Sequence, residues 1–257
     1  VKTLIYSCVF FNEKYIDLVS LLLKSYKDFG DPPSNVDYLI ICNPSLEGRV
    51  RDGLYNPKLN VKTWSLDLKT KFEAGYSRLR IFDYPDIDSY NKILYLDCDI
   101  LITNSINNML NFELENKLYA LKEGYTHHSY WGGQFFDESL SCEAFTSGVL
   151  LFNNNNTIRE LFSGILSHIN NHIASDLPIP FCLDQPFIVY RAIKNNLYNN
   201  SKLSSLVINN PNEKDPFRLD QPKTYTNQCI CHFPGTPGHY ESKIAKMTNF
   251  MNYITSQ

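Results

Sequence analysis

Asp97 and Asp99 stand one residue apart where the apolar run Lys92–Leu96 ends, in the peptide Lys-Ile-Leu-Tyr-Leu-Asp-Cys-Asp-Ile-Leu-Ile. Alternate residues of an extended chain project to the same side, so both carboxylates can face one hard cation. A divalent ion held there could bridge to a diphosphate, and ligands of open α/β sheets gather at the carboxyl ends of strands. The plainer reading is a pair of solvated acids closing a strand. His232 ends a later apolar run, in Cys231-His232-Phe233-Pro234-Gly235, and offers an imidazole. By itself it reads as a packed histidine at a strand end. Cys229 and Cys231 beside it suggest zinc. However, Cys-x-Cys inside a strand puts both thiols on one face, and the chain holds no Cys-x-x-Cys partner.

Positioning such groups takes a sheet covered by helices. Thr3–Phe11 is rich in β-branched and aromatic residues and reads as a buried strand. Asn12 can cap a helix over Glu13–Lys27, stopped by Gly30-Asp31-Pro32-Pro33, and Val36–Asn43 is the next strand. This β–α–β order predicts parallel strands. Further strands are expected at Val61–Leu66, Lys92–Leu96, Leu118–Lys122, Ser147–Asn153 and Cys229–Phe233. Helices are expected at Thr70–Phe82, Ser105–Leu110, Asn156–Ile173, Asp184–Ile193 and Tyr240–Tyr253. Gly124–Ser141 and Asn195–Thr226 break the pattern and read as binding loops or surface excursions.

Composition narrows the class without naming a function. With 43% hydrophobic and 20% charged residues over 257, the chain is globular rather than disordered. A net charge of −3 gives no bulk attraction to nucleic acid or to an anionic membrane. No run of 18 apolar residues predicts a membrane span, and Leu4–Phe11 is too short and polar for a signal peptide. The seven cysteines are odd in number and scattered, which fits reduced thiols in a cytoplasmic or equivalent compartment. No linker divides the chain. The expectation is one α/β domain over residues 1–257, with a nucleotide-binding part to about residue 100 and an acceptor and catalytic part beyond it.

Five motifs stand in order along the chain: Ser77-Arg78-Leu79-Arg80 on a helix, Asp97-Cys98-Asp99, Phe145-Thr146-Ser147-Gly148 opening a strand, Asp184-Gln185-Pro186 starting a helix, and His232-Phe233-Pro234-Gly235. Each is weak alone. As an ordered set, running from about Thr3 to Lys243, they resemble the family 8 retaining glycosyltransferases, the group containing glycogenin and the lipopolysaccharide galactosyl- and glucosyltransferases. The resemblance implies a single Rossmann-like nucleotide-sugar-binding domain of GT-A type, with a mixed, mostly parallel sheet. It implies that Asp97, Asp99 and His232 hold manganese, with magnesium as the alternative, and that Asp97 also meets the donor ribose. Two diphosphate oxygens would complete the coordination. Arg78 matches the basic residue at the diphosphate or donor sugar, Asp184 the carboxylate on donor hydroxyls, and Gln185 the residue near the reacting carbon. Without the resemblance, Arg78 reads as a surface charge and Asp184 as a helix cap. Tyr15 falls, after a one-residue gap, where the family stacks a ring on uracil; ordinary helix packing explains it as well.

The chain departs from the family pattern in two places. Thr146 stands where Asn is usual, although Ser147 and Gly148 still match. The family's Gly-x-x-Lys-Pro-Trp is replaced by Gly235-Thr-Pro-Gly238-His-Tyr-Glu-Ser-Lys243, so Gly238 takes the place of the lysine that grips the β-phosphate. Gly235 and Gly238 are expected to let backbone N–H groups approach the phosphate, with Lys243 supplying the charge one turn into the last helix. The expected reaction moves a hexose from a UDP-sugar to a glycan, lipid or protein hydroxyl. UDP-glucose is the first candidate, then UDP-galactose and UDP-N-acetylglucosamine. A homodimer stays open. Two alternatives remain: an inactive nucleotide-sugar-binding module, and a haloacid-dehalogenase-like phosphatase with Asp97 as nucleophile. The phosphatase would need a downstream acidic pair, and no Asp-Asp or Gly-Asp-x-x-x-Asp occurs.

Overall fold

The computed structural model describes residues 1–54, 58–136, 141–209, 228–235 and 239–256. In chain order, β1 (Thr3–Val9), α1 (Lys14–Phe29), β2 (Val36–Cys42), α2 (Pro44–Gly53) and β3 (Asn60–Ser65) come first. Then follow α3 (Lys71–Tyr76), a 3-10 turn at Ser77–Asp83, β4 (Lys92–Leu96), β5 (Ile100–Ile102), α4 (Asn107–Leu110) and β6 (Leu118–Tyr125). The remainder is β7 (Glu143–Asn153), α5 (Asn156–Ala174), α6 (Gln185–Lys194), β8 (Tyr198–Asn199), β9 (Val207–Asn209), β10 (Ile230–His232) and a last helix, α7 (Tyr240–Thr255). The large sheet is mixed and mostly parallel, ordered β3-β2-β1-β4-β7-β6-β8, and a small sheet is ordered β5-β10-β9. Strands β2 and β4 are buried along their whole length, as expected of strands covered on both faces. Among the described residues, no helix is long and apolar enough to cross a membrane.

The chain falls into two compact units. The first comprises Leu4–Asp67, Leu96–Phe112 and Ser205–Gln257. Here β2 pairs in parallel with β3, Tyr38 opposite Val61. Helix α1 buries Leu18, Val19, Leu22, Leu23 and Tyr26 on one stripe, and Ser25 Oγ accepts a hydrogen bond from Ile102 N–H at 2.9 Å. The helix starts one residue later than expected, yet Asn12 Oδ1 still accepts from Lys14 N–H at 3.0 Å. Gly30 stands at its end, where a side chain has no room: a Cβ would lie 2.4 Å from the Tyr26 ring. Helix α2 was not anticipated, although Pro44 in its first turn after Asn43 is a recognised start signal.

The second unit comprises Val1–Thr3, Leu68–Tyr95 and Glu113–Ser204. Strand β6 runs antiparallel to β7 and parallel to β8. Phe82, Phe152 and Phe162 meet with ring centroids 5.0–6.0 Å apart. Thr70 and Glu73 form a reciprocal capping box at the start of α3. The single helix expected over Thr70–Phe82 does not persist. It tightens into the 3-10 turn after Tyr76, where Ser77 Oγ donates to Ala74 O at 2.7 Å. In the expected loop Gly124–Ser141, the described part forms an extension of β6 and two 3-10 turns, Ser129–Trp131 and Gly133–Phe135. Most of the expected excursion Asn195–Thr226 lies outside the described residues.

Candidate functional site

The first unit carries the acidic cluster. Ser7 Oγ donates to Leu96 O at 2.7 Å, anchoring the chain just ahead of Asp97. The spacer Cys98 turns inward, its thiol donating to Cys8 O at 3.1 Å. Asp97–Asp99 do not continue the extended strand as expected: the chain turns at Cys98 and Asp99 before β5. Strand β5 follows at once. Strand β10 pairs antiparallel with it, bringing His232 opposite Ile100, and Phe233 N–H donates to Asp99 O at 2.8 Å. The pairing therefore delivers the imidazole to the carboxylates. His232 Nε2 is 3.4 Å from Asp99 Oδ1 and 3.9 Å from Asp97 Oδ2. Asp97, Asp99 and His232 each offer a ligand atom within 4.8 Å of the others. Two carboxylate oxygens and an imidazole form a donor set that suits a divalent first-row ion.

Asp99 is 7% exposed and His232 2%. Burial alone would raise the Asp99 carboxyl. His232, through a hydrogen bond and charge, and then Lys243 outweigh it and hold the group well below the usual carboxylate range. Lys243, in the first turn of α7, places Nζ 2.5 Å from Asp99 Oδ2. Gly235 lies against the same lysine, a Cβ there meeting Lys243 Cε at 3.4 Å. Gly238 lies outside the described residues. Tyr15 is half-buried with Tyr240 edge-on at 5.0 Å, and burial, then Tyr240, pushes its hydroxyl well up. All seven cysteines are free thiols.

The second unit gathers Arg78, Ser147, Asp184 and Gln185. Arg78 is not a surface charge: it forms an ion pair with Asp184, Nε to Oδ2 3.0 Å, at 11% and 2% side-chain exposure. Its Nη1 donates to Ser147 O at 2.9 Å, and its guanidinium lies 4.6 Å from the Tyr95 ring centre. Asp184 precedes α6 but makes no side-chain cap, because its carboxylate is turned to Arg78. Gln185 is fixed at both ends. Oε1 accepts from Ser147 N–H at 3.0 Å, and Nε2 donates to Tyr130 O at 3.1 Å. A backbone N–H can only donate and a carbonyl can only accept, so the amide orientation is unambiguous. The Ser147 and Thr146 hydroxyls also lie 3.3 and 3.4 Å from Oε1. Thr146 thus serves the Gln185 side here, while Gly148 N–H meets the Thr146 hydroxyl at 3.4 Å. Tyr130 lies in the stretch read as a binding loop or surface excursion, and its contact with Gln185 is one that sequence reasoning missed. No spacing signal links it to Gln185, 55 residues on.

The chain superimposes on the galactosyltransferase LgtC, solved with donor and acceptor sugar analogues, with a TM-score of 0.62 at 16% identity, covering 98% of this chain and 95% of that one. It matches the bifunctional glycosyltransferase WbbM with a TM-score of 0.62 at 15% identity over its full length, spanning about half (52%) of WbbM. The glycosyltransferase GlyE of Streptococcus pneumoniae TIGR4 matches with a TM-score of 0.58 at 16% identity over 99% of this chain and 64% of its own. The fold is that of a GT-A glycosyltransferase. Residues 46–191, more than half of the chain, match the profile of Glycosyl transferase family 8, and the chain belongs to that family. No curated relative matches it.

Proposed function

We propose that this glycosyltransferase moves a hexose from a UDP-sugar to an acceptor hydroxyl with retention of configuration. UDP-glucose is the first candidate donor, then UDP-galactose and UDP-N-acetylglucosamine; the acceptor is a glycan, a lipid or a protein. The observation that carries the reading is the convergence of Asp97, Asp99 and His232 within 4.8 Å. These three side chains hold the cation, manganese or magnesium, which when bound offsets the charge growing on the leaving diphosphate. Lys243, beside Asp99, adds positive charge for the diphosphate, Arg78 is the basic residue assigned to the diphosphate or donor sugar, and Gly235 leaves the backbone open to the phosphate. Tyr15 presents a ring to the base, and Ser147 and Gly148 border the donor.

Asp184 accepts from donor hydroxyls while Arg78 orients it through the ion pair. Gln185 lies nearest the reacting carbon. An amide is a poor nucleophile, and its Oε1 is already engaged by the Ser147 N–H. A same-face substitution therefore fits better than a double displacement, with the departing phosphate taking the acceptor proton. A sugar found covalently attached to Asp184 or Gln185 would overturn this.

The test is incubation with manganese and a panel of UDP-sugars, read as UDP release with and without simple sugar acceptors. Release from one donor supports the transferase reading and names the sugar. Binding without turnover favours a binding module, and no binding to any donor ends the proposal.

A further inference from the structure

Lys243 shares Asp99 with the proposed cation. Its ammonium is 2.5 Å from Asp99 Oδ2, and both side chains are shielded, at 17% and 10% exposure. The same turn of α7 makes two contacts with α1: Tyr240 meets Tyr15 edge-on at 5.0 Å, and Glu241 pairs with Lys14. The turn is thus tied down at three points, and the ammonium is not a charge on a loose stem. Resting on the cation reading above, we infer that Lys243 is an internal counter-ion that competes with the divalent cation for Asp99, so that the cation binds well only together with a diphosphate.

The reason is charge. An ammonium and a divalent ion beside one shielded carboxylate repel each other, because little water screens them. A diphosphate supplies oxygens that attract both, so its arrival turns the competition into cooperation. By linkage, nucleotide diphosphate raises cation affinity and the cation raises nucleotide affinity by the same factor. Asp99, His232 and Lys243 come from three separate stretches, so α7 connects cation loading to occupancy of the donor position.

The test measures manganese binding, by paramagnetic resonance of the free ion, in wild type and Lys243→Met, each with and without UDP. Lys243→Met should bind manganese about tenfold more tightly without UDP, on the scale of one charge removed from beside a shielded carboxylate. UDP should then raise its manganese affinity by a smaller factor than in wild type. Lys243→Arg should behave as wild type. In the unsubstituted chain without UDP, manganese at concentrations high enough to saturate the site should raise the labelling of Lys243 by an amine-reactive reagent, a readout that does not depend on any variant folding. Equal or weaker manganese binding by Lys243→Met, or unchanged labelling, overturns the inference while leaving the cation site standing. If neither protein binds manganese, even with UDP present, the cation reading falls and the inference with it.

Discussion

Arg78 and Asp184 show how much one pair can determine. The guanidinium meets both carboxylate oxygens, the Ser147 carbonyl and the Tyr95 ring. Asp184 is 1% exposed, so removing its partner leaves a charge in a poorly solvated place. Arg78→Ala should cost about 3–5 kcal/mol of folding stability, measurable by denaturant titration, and also abolish sugar transfer. An unchanged unfolding midpoint would contradict the structural half of this. Asp97 is the converse case, being more exposed than Asp99 and closing no core. Asp97→Asn should therefore unfold like wild type yet lose manganese binding, and retained binding would show that Asp99 and His232 suffice.

At the scale of elements, local sequence signals settle the starts of helices better than their continuation. Thr70 caps α3 through its hydroxyl while Glu73 reaches back to the Thr70 N–H. Thr70→Ala should cost about 1 kcal/mol, read as a lower unfolding midpoint. Its kinetic effect should be seen through Arg78, two residues past the end of this helix. The spacing of Phe72, Tyr76, Leu79 and Phe82 fits the period of one helix through Phe82. The shift to a 3-10 turn is local, set by the Ser77 hydroxyl bonding back to Ala74, and periodicity does not register it. Strand β5 was missed for a related reason: three residues are too short for a pattern, and only pairing with β10 makes them a strand.

For the whole molecule, burial of polar groups sets a pH dependence. Burial pushes the Cys229 thiol up to about 12 and the Cys42 and Cys182 thiols up to about 11, against an ordinary value near 9. Their folded-state values lie above those of the unfolded chain, so their contribution to stability is complete below pH 9. It is lost as pH rises from there toward 12, because the unfolded chain releases thiol protons that the folded chain keeps. Urea unfolding at pH 8 and pH 10.5 should show lower stability at the higher pH, with the loss reduced in Cys229→Ala. Alkylation of the native protein at pH 8 should also leave Cys229 and Cys98 unmodified, since both are buried and hold their protons.

The sequence by itself determined the alternation of strands and helices, because apolar runs, caps and turn residues are local and repeat with the period of the element they form. It also determined the ordered motifs that point to the family, including Asp97 and Asp99, which are placed by one stretch of chain. It joined His232 to the two aspartates only through the family resemblance, and it did not pair Lys243 with Asp99 or Arg78 with Asp184. His232 reaches Asp99 through the register of β10 on β5, and Lys243 arrives from 144 residues away on a helix packed against α1. Asp184 read equally well as a helix cap until Arg78, 106 residues earlier, was seen to hold it. Such pairings depend on strand register and packing, which are decided by the burial of many side chains at once. They are therefore properties of the tertiary structure.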